Sequence, residues 1–304
     1  MVFSASVRIL LTRSNVPLGI LKSIDIVRNV TMLKSDPNWW KHLFDHVYLM
    51  TDARSVCDER VTCREVDMLE GLLALEPSLS IVDLCGGQGR HAAELCRRGF
   101  GNITVVDYSD YLVQKGIELT ASEGLMVSFV QADARSTGLP SGRFDIAIVM
   151  ANSFGYFHDP ADDRRVLEEA YRLLVPGGRL LLDLVDSELA LRDFRERSWH
   201  EIGEEIVVCR VRELSGDSVV SREIVMSKKE GLIRDQTYFV RLYCTEKLSE
   251  LLAGVGFESV HTMRGFRPQD EAEDYGFLSD RLIVIAAKPT CPPLCVHEGK
   301  KGGR

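Results

Sequence analysis

The stretch IVDLCGGQGRH, residues 81–91, decides the fold. Its apolar run ends in Asp83 and passes through a glycine-rich turn directly into a helix. Gly86, Gly87 and Gly89 let the backbone turn sharply and approach a ligand where a Cβ would stand in the way. The N-terminal amides of the following helix point into the same space. Two ligand classes use such a turn. Gly87, Gly89 and Ala92 fit the G-x-G-x-x-[GA] dinucleotide fingerprint, with Asp107 ending the next strand at the ribose-binding distance, so an NAD reading stands. Against it, Asp83 lies inside the end of the first strand, where a carboxylate repels a pyrophosphate but accepts a hydrogen bond from an amino group. That favours a cationic ligand.

Working outward, ITVVDYS (103–109) reads as a second strand ending in Asp107, and VSFVQADAR (127–135) as a third ending in Asp133. FDIAIVMANSFGYF (144–157) reads as a fourth strand running into an aromatic loop, and LLVPGGRLLLDLV (173–185) as a turn plus a fifth. Carboxylates at successive strand ends fall along the carboxyl edge of a parallel sheet, where open α/β folds bind ligands. Taken singly, each such Asp is also a good helix N-cap.

With these segments in this order, the chain resembles the class I S-adenosylmethionine-dependent methyltransferases, of the bacterial small-molecule type with a D-x-C-G-G-x-G-R-H first motif. The likeness covers roughly residues 39–288 on a domain-length argument. It implies an α/β, Rossmann-like fold with a mostly parallel seven-stranded sheet and S-adenosyl-L-methionine as cofactor. By that resemblance, Asp83, Cys85, Gly86, Gly87 and Gly89 hold the methionine end, and Asp107, followed by Tyr108, takes the ribose. Asp133 and the Ala134 amide read the adenine, with Ala151 and Asn152 beside the sulfonium. Cys85 stands where the family has the first glycine of the loop, a departure that matters only if Cys85 must adopt positive φ.

Methyl transfer from a sulfonium is an in-line displacement with an activated leaving group, so the protein mainly aligns the nucleophile and excludes water. A hydroxyl acceptor would benefit from a general base. His158, in the loop after the fourth strand, is the first candidate and Tyr156 the second, whereas His91 is assigned to packing the glycine loop. An amine or thiol acceptor needs no base.

Upstream, Asp36-Pro37 reads as a helix start, and Trp40, Leu43, Phe44 and Val47 recur at helical spacing. The resemblance makes Trp39, Trp40, Phe44 and Tyr48 an aromatic lid, with packing on the core as the alternative. A second helix is expected over residues 62–75, with Arg64, Glu65 and Asp67 on a solvated face. After the fifth strand, residues 199–244 alternate as three strands of an antiparallel insertion. On the last, Phe239, Arg241 and Tyr243 share one face, and Val240, Leu242 and Cys244 the other. By resemblance the insertion roofs the substrate pocket, making Arg241 and Tyr243 substrate candidates beside Trp39 and Tyr48. A surface salt bridge is the other reading of Arg241. Residues 256–263 and 281–288 finish the sheet.

The chain has 304 residues, 45% hydrophobic and 27% charged, which suits a globular enzyme with one large core. A net charge of −8 works against sequence-independent binding of nucleic acid. Eight cysteines without C-x-x-C spacing suit buried thiols in a reducing compartment, hence a cytoplasmic location. No run is long enough for a transmembrane helix, so no membrane partner is expected, nor nucleic acid given the net charge; the resemblance implies a small-molecule partner, and a monomer or homodimer is expected. Residues 1–35 read as a disordered leader or a start called too far upstream, with a targeting signal as the alternative. Residues 289–304 read as a disordered tail, in which Cys291, Cys295 and His297 lack a fourth zinc ligand. No metal is expected, and Asp159-Pro160 reads as a helix cap.

Overall fold

The computed structural model describes residues 33–52, 56–269 and 280–290. The leader and the tail with its Cys291, Cys295 and His297 therefore fall almost wholly outside the described residues.

The core is a seven-stranded sheet in the order β10-β11-β5-β4-β1-β2-β3. Here β1 is Ile81–Leu84, β2 Ile103–Asp107, β3 Ser128–Gln131, β4 Phe144–Val149 and β5 Leu174–Val185, while β10 is Glu258–Phe266 and β11 Arg281–Ala287. The first five run parallel, and β11 lies antiparallel between β5 and β10. This is the Rossmann-like α/β architecture expected from the order of motifs. The central strands are apolar on both faces because helices cover both. Val82 and Leu84 pack with Val166, Leu167 and Ala170 on one side, while Ile81, Val105 and Ile148 pack with Leu69, Leu73 and Leu95 on the other.

Helix starts follow local capping chemistry. The helix after β1, α4 (Arg90–Arg97), opens at Gly89, and α5 (Asp110–Ser122) is capped by Ser109. Asp159 caps α6 (Pro160–Leu173), accepting the Ala161 N–H at 2.9 Å, with proline in the first turn. The N-terminal segment departs from expectation. Instead of one helix there are two short ones, α1 (Trp40–Leu43) and α2 (His46–Thr51), because the Asp45 side chain accepts the amides of Val47 at 2.8 Å and Tyr48 at 3.2 Å and restarts the helix there. The next helix, α3 (Glu59–Leu73), starts three residues earlier than expected, at the Asp58 cap. Its Glu65 is not on a solvated face: it is fully buried.

The insertion after β5 follows α7 (Ser187–Arg192) and is a four-stranded antiparallel sheet rather than three strands. Its strands are β6 (Arg197–Ile202), β7 (Ile206–Ser215), β8 (Ser218–Ser227) and β9 (Gly231–Arg241). The last helix, α8 (Thr245–Val255), returns the chain to the core.

A buried ion pair straps the insertion down. Arg241 bonds Asp163 of α6, and also donates to the carbonyls of Phe157 at 3.0 Å and His158 at 2.9 Å. The Arg241 N–H donates to Gly155 O at 2.7 Å, and the Tyr243 hydroxyl donates to Asp163 at 2.7 Å. The face carrying Arg241 and Tyr243 therefore turns onto the core, and Tyr238 and Val240 of the opposite face turn to the interior cavity described below. Replacing Asp163 with Ala leaves a buried guanidinium without its carboxylate and should cost about 3–5 kcal/mol in urea unfolding; a loss under about 1 kcal/mol would contradict this role.

Candidate functional site

The glycine turn is built around one carboxylate. Cys85, Gly87 and Gly89 all take left-handed backbone, at φ 59°, 58° and 72°. A Cβ on Gly86 would lie 2.6 Å from Asp83 Cγ, and one on Gly89 would lie 2.8 Å from Phe129 Cζ, so neither position tolerates a side chain. Cys85 thus needs the positive φ that makes its departure from glycine matter, at a cost of roughly 1–2 kcal/mol.

Asp83 is fully buried, and neither carboxylate oxygen has a hydrogen-bond partner among the described residues. Burial pushes its pKa up to about 7; Arg90 offsets part of this, while Asp107 and Glu65 add to it. The nearest histidine cannot relieve it. His91 Nε2 lies 3.0 Å from Glu65, and burial, then Arg90, pulls the imidazole down to about 4, so it is neutral at neutral pH. Donating Nε2–H to Glu65 leaves Nδ1 without a proton, and that atom sits 3.9 Å from Asp83.

Asp107 accepts the amides of Gly87 and Ser109, each at 2.8 Å, and burial raises its pKa to about 6. Burial works in the same direction on Asp133, but hydrogen bonds from Arg135 outweigh it and hold that carboxyl below its usual range. The Arg135 guanidinium in turn lies over the rings of Trp40 and Phe157, at 5.2 and 4.4 Å.

These groups surround one cavity. Cys85, Gly86, Gly87, Asp107, Tyr108, Asp133, Ala134 and Ala151 line it, with Asp83 beneath the turn and Gly89 behind it as the helix cap. A second cavity adjoins it, and the two share Phe44, Tyr48, Arg90, Ala151 and Tyr156. Its other walls include Trp39 and, from the insertion, Arg210, Arg212, Glu223, Tyr238 and Val240. Asn152 faces only this second space, and its Oδ1 accepts the Val185 amide at 2.9 Å.

Besides Asp83 and Gly89, which lie behind the turn and line neither cavity, three further candidates reach neither. Arg241 and Tyr243 are committed to Asp163. His158 is exposed, with Nε2 2.8 Å from Ser35 Oγ and its ring against Phe239, so it does not stand where a general base would act. Strand parity decides the first two, since a face called from alternation alone can be assigned to either side.

Several residues at the site carry no local signal. Glu65 bonds Arg90 and His91 from α3, and Arg281 of β11 bonds Asp183 of β5 at 3.1 Å. Asp183 also accepts the Ala151 amide at 2.9 Å, and its carbonyl accepts that of Asn152 at 2.8 Å. This fixes two consecutive left-handed residues, φ 54° and 60°, at the boundary of the cavities. Arg210 and Arg212 do show a signal, alternate charges inside a strand, which marks a polar inward face.

Comparison with known proteins bears directly on this geometry. Residues 81–178 match a methyltransferase-domain family model. The ubiquinone/menaquinone biosynthesis C-methyltransferase UbiE of Enterobacter sp. is 33% identical over 107 residues, 34% of this chain and 41% of that one. The glycine/sarcosine N-methyltransferase of Halorhodospira halochloris is 28% identical over 220 residues, 68% of this chain and 75% of that one. The alignment with the UbiE protein thus spans about two-fifths of its length. Among solved structures, an S-adenosylmethionine-dependent methyltransferase from Clostridium acetobutylicum superposes with TM-score 0.62 at 17% identity, covering 80% of this chain and 97% of that one. The sugar N-methyltransferase KedS8 from Streptoalloteichus gives 0.62 at 20% identity, covering 86% and 98%. The fold is the Rossmann-like fold of these methyltransferases.

The Asp83 environment has a consequence for stability. A carboxyl whose pKa rises from 3.8 to about 7 on folding penalises the folded state increasingly as pH rises between those values, and fully above the upper one. Without ligand, Asp83→Asn should therefore melt higher than the parent at pH 8, with the gap closing towards pH 4. A gap independent of pH in thermal melts would contradict the assignment.

Proposed function

We propose that the chain is an S-adenosylmethionine-dependent methyltransferase that uses the first cavity for the cofactor and the second for a small-molecule acceptor. The single observation that carries this reading is Asp83: a fully buried carboxylate without a protein partner, under a turn that admits no side chain. Such a group fits an ammonium, and it disfavours a dinucleotide pyrophosphate at the same turn. The donor set fits the rest of the cofactor. Asp107 already accepts one backbone amide on each oxygen and keeps lone pairs for ribose hydroxyls. Asp133 and Ala134 border the far end, with Ala151 at the boundary where the two cavities meet.

S-adenosylmethionine, when bound, supplies a methyl group on a positively charged leaving group. The chain's own residues then have to position the acceptor and keep water out. Phe44, Tyr48 and Tyr156 form the shared aromatic wall between the spaces, and the Asp183 clamp fixes Ala151 beside them. Tyr156 is the remaining acid–base candidate, but burial raises its pKa well above the ordinary phenol range. It is therefore a hydrogen-bond donor at neutral pH, not a base, and alignment carries the rate. The names of the Halorhodospira and Streptoalloteichus proteins, which act on glycine or sarcosine and on a sugar, agree with a small acceptor. So does the net charge of −8, which works against nucleic acid. The reducing-compartment reading of the cysteines supports a cytoplasmic location.

S-adenosylhomocysteine at 100 times its Kd should stabilise the protein by about 2.7 kcal/mol, whereas NAD should leave the melting temperature unchanged. Asp83→Asn removes a charge-assisted hydrogen bond and should weaken S-adenosylhomocysteine about 10- to 100-fold. In the parent, affinity should rise as pH climbs through about 7, as Asp83 ionises, and the variant should lose that dependence. Transfer of label from methyl-labelled cofactor to a component of fractionated cell extract completes the test; stabilisation by NAD instead would overturn the reading.

A further inference from the structure

We infer that the acceptor is a neutral, planar heterocycle presenting an amide-type edge, a ring N–H beside a carbonyl, to Gln269 in the second cavity. This rests on the reading of that cavity as the acceptor site. Gln269 and Trp39 both line it and are only 7% and 2% exposed, yet both amide atoms of Gln269 and Nε1 of Trp39 lack any hydrogen-bond partner among the described residues. Leaving such groups unanswered costs about 1–3 kcal/mol each, so a ligand that answers them recovers that cost on binding. A glutamine amide offers one donor direction and one acceptor direction side by side, which matches a lactam edge, and an indole N–H donates to a second carbonyl or a ring nitrogen.

The charges on the same wall are engaged within the protein. Arg210 is held by Glu223 at 2.8 Å and by Asp52 at 3.2 Å, and Arg281 by Asp183 at 3.1 Å. Arg90 bonds Glu65, and Arg212 donates to Ser198 Oγ at 3.0 Å and to the Arg195 carbonyl at 3.4 Å. A charged acceptor would have to break into the ion pairs of Arg210, Arg281 or Arg90 to gain those partners, whereas a neutral one leaves them intact. Aromatic rings set the shape. Phe44 and Tyr156 stack with centroids 5.8 Å apart, and Trp39 meets Tyr156 at 5.0 Å and Tyr238 at 5.7 Å, presenting flat surfaces to a flat ligand. The cavity volume of about 140 Å³ is close to that of a cavity that takes one benzene ring, and it continues into the first cavity past Ala151 and Tyr156, which leaves room for a fused second ring.

The test uses the full-length protein saturated with S-adenosylhomocysteine and measures binding of 2-pyridone, uracil and lumazine by calorimetry, with 2-naphthoate as the flat, anionic comparison. Lumazine should bind at least tenfold more tightly than 2-naphthoate. Gln269→Leu should lose at least tenfold of that affinity while its affinity for S-adenosylhomocysteine stays unchanged. Gln269→Met, close in size and flexibility but without an amide donor or acceptor, should lose it as well, which guards against a folding defect in the leucine variant. The inference is overturned if S-adenosylhomocysteine binds but none of the three lactams does, if 2-naphthoate binds as tightly as lumazine, or if both variants keep the parent's affinity for lumazine. Failure of S-adenosylhomocysteine itself to bind overturns the methyltransferase reading, and this inference with it.

Discussion

Asp83 lies at the end of β1, fully buried and with no protein donor among the described residues within hydrogen-bond reach, and a carboxylate in that state is expensive to keep ionised. Much of the surrounding structure is set by that fact. The turn above it must leave room, so Gly86 carries no side chain; the backbone must then reverse, so Cys85, Gly87 and Gly89 take left-handed conformations. His91, the neighbour that might have neutralised it, spends its proton on Glu65. On the function proposed above, a ligand ammonium is the group that resolves the charge.

The same economy of paired charge organises the layer behind both cavities. Glu65 from α3 ties down Arg90 and His91 of α4, while Arg281 of β11 ties down Asp183 of β5, and Asp183 holds the strained Ala151–Asn152 turn. Buried pairs of this kind add little net stability over apolar packing, but they fix geometry, because losing one partner strands the other. Arg241 and Asp163 do the same for the insertion, fastening the end of β9 to α6 and to the 154–158 loop. The two cavities therefore share walls whose positions are set by charge pairing rather than by loop flexibility.

The strands of the central sheet, the glycine turn and the strand-end carboxylates were legible because each has a short-range cause: apolar runs bounded by turns, residues that permit positive φ, and acids that follow a strand. The N-terminal helix was less so. Its apolar spacing continues through Phe44, but the Asp45 side chain captures two amides and divides it, a competition that periodicity does not register. Glu65 looked solvated among Arg64 and Asp67, because its partners lie 25 and 26 residues away on another helix. Alternation along β9 separated two faces correctly and still could not say which one met the interior; the Arg241–Asp163 pair, 78 residues apart in the chain, settled it. His158 follows the fourth strand as a base candidate should, yet its ring turns outward to Ser35 and Phe239.

By itself, then, the sequence determined the α/β class, the succession of the parallel strands along the chain and the acidic residues at their carboxyl ends, because backbone propensities and turn chemistry act over a few residues. Only the tertiary structure decided which polar side chains face the cavities and which are spent on one another. Burying a charge is tolerable only against a partner, and the partners in this chain come from segments that meet nowhere but in the folded core.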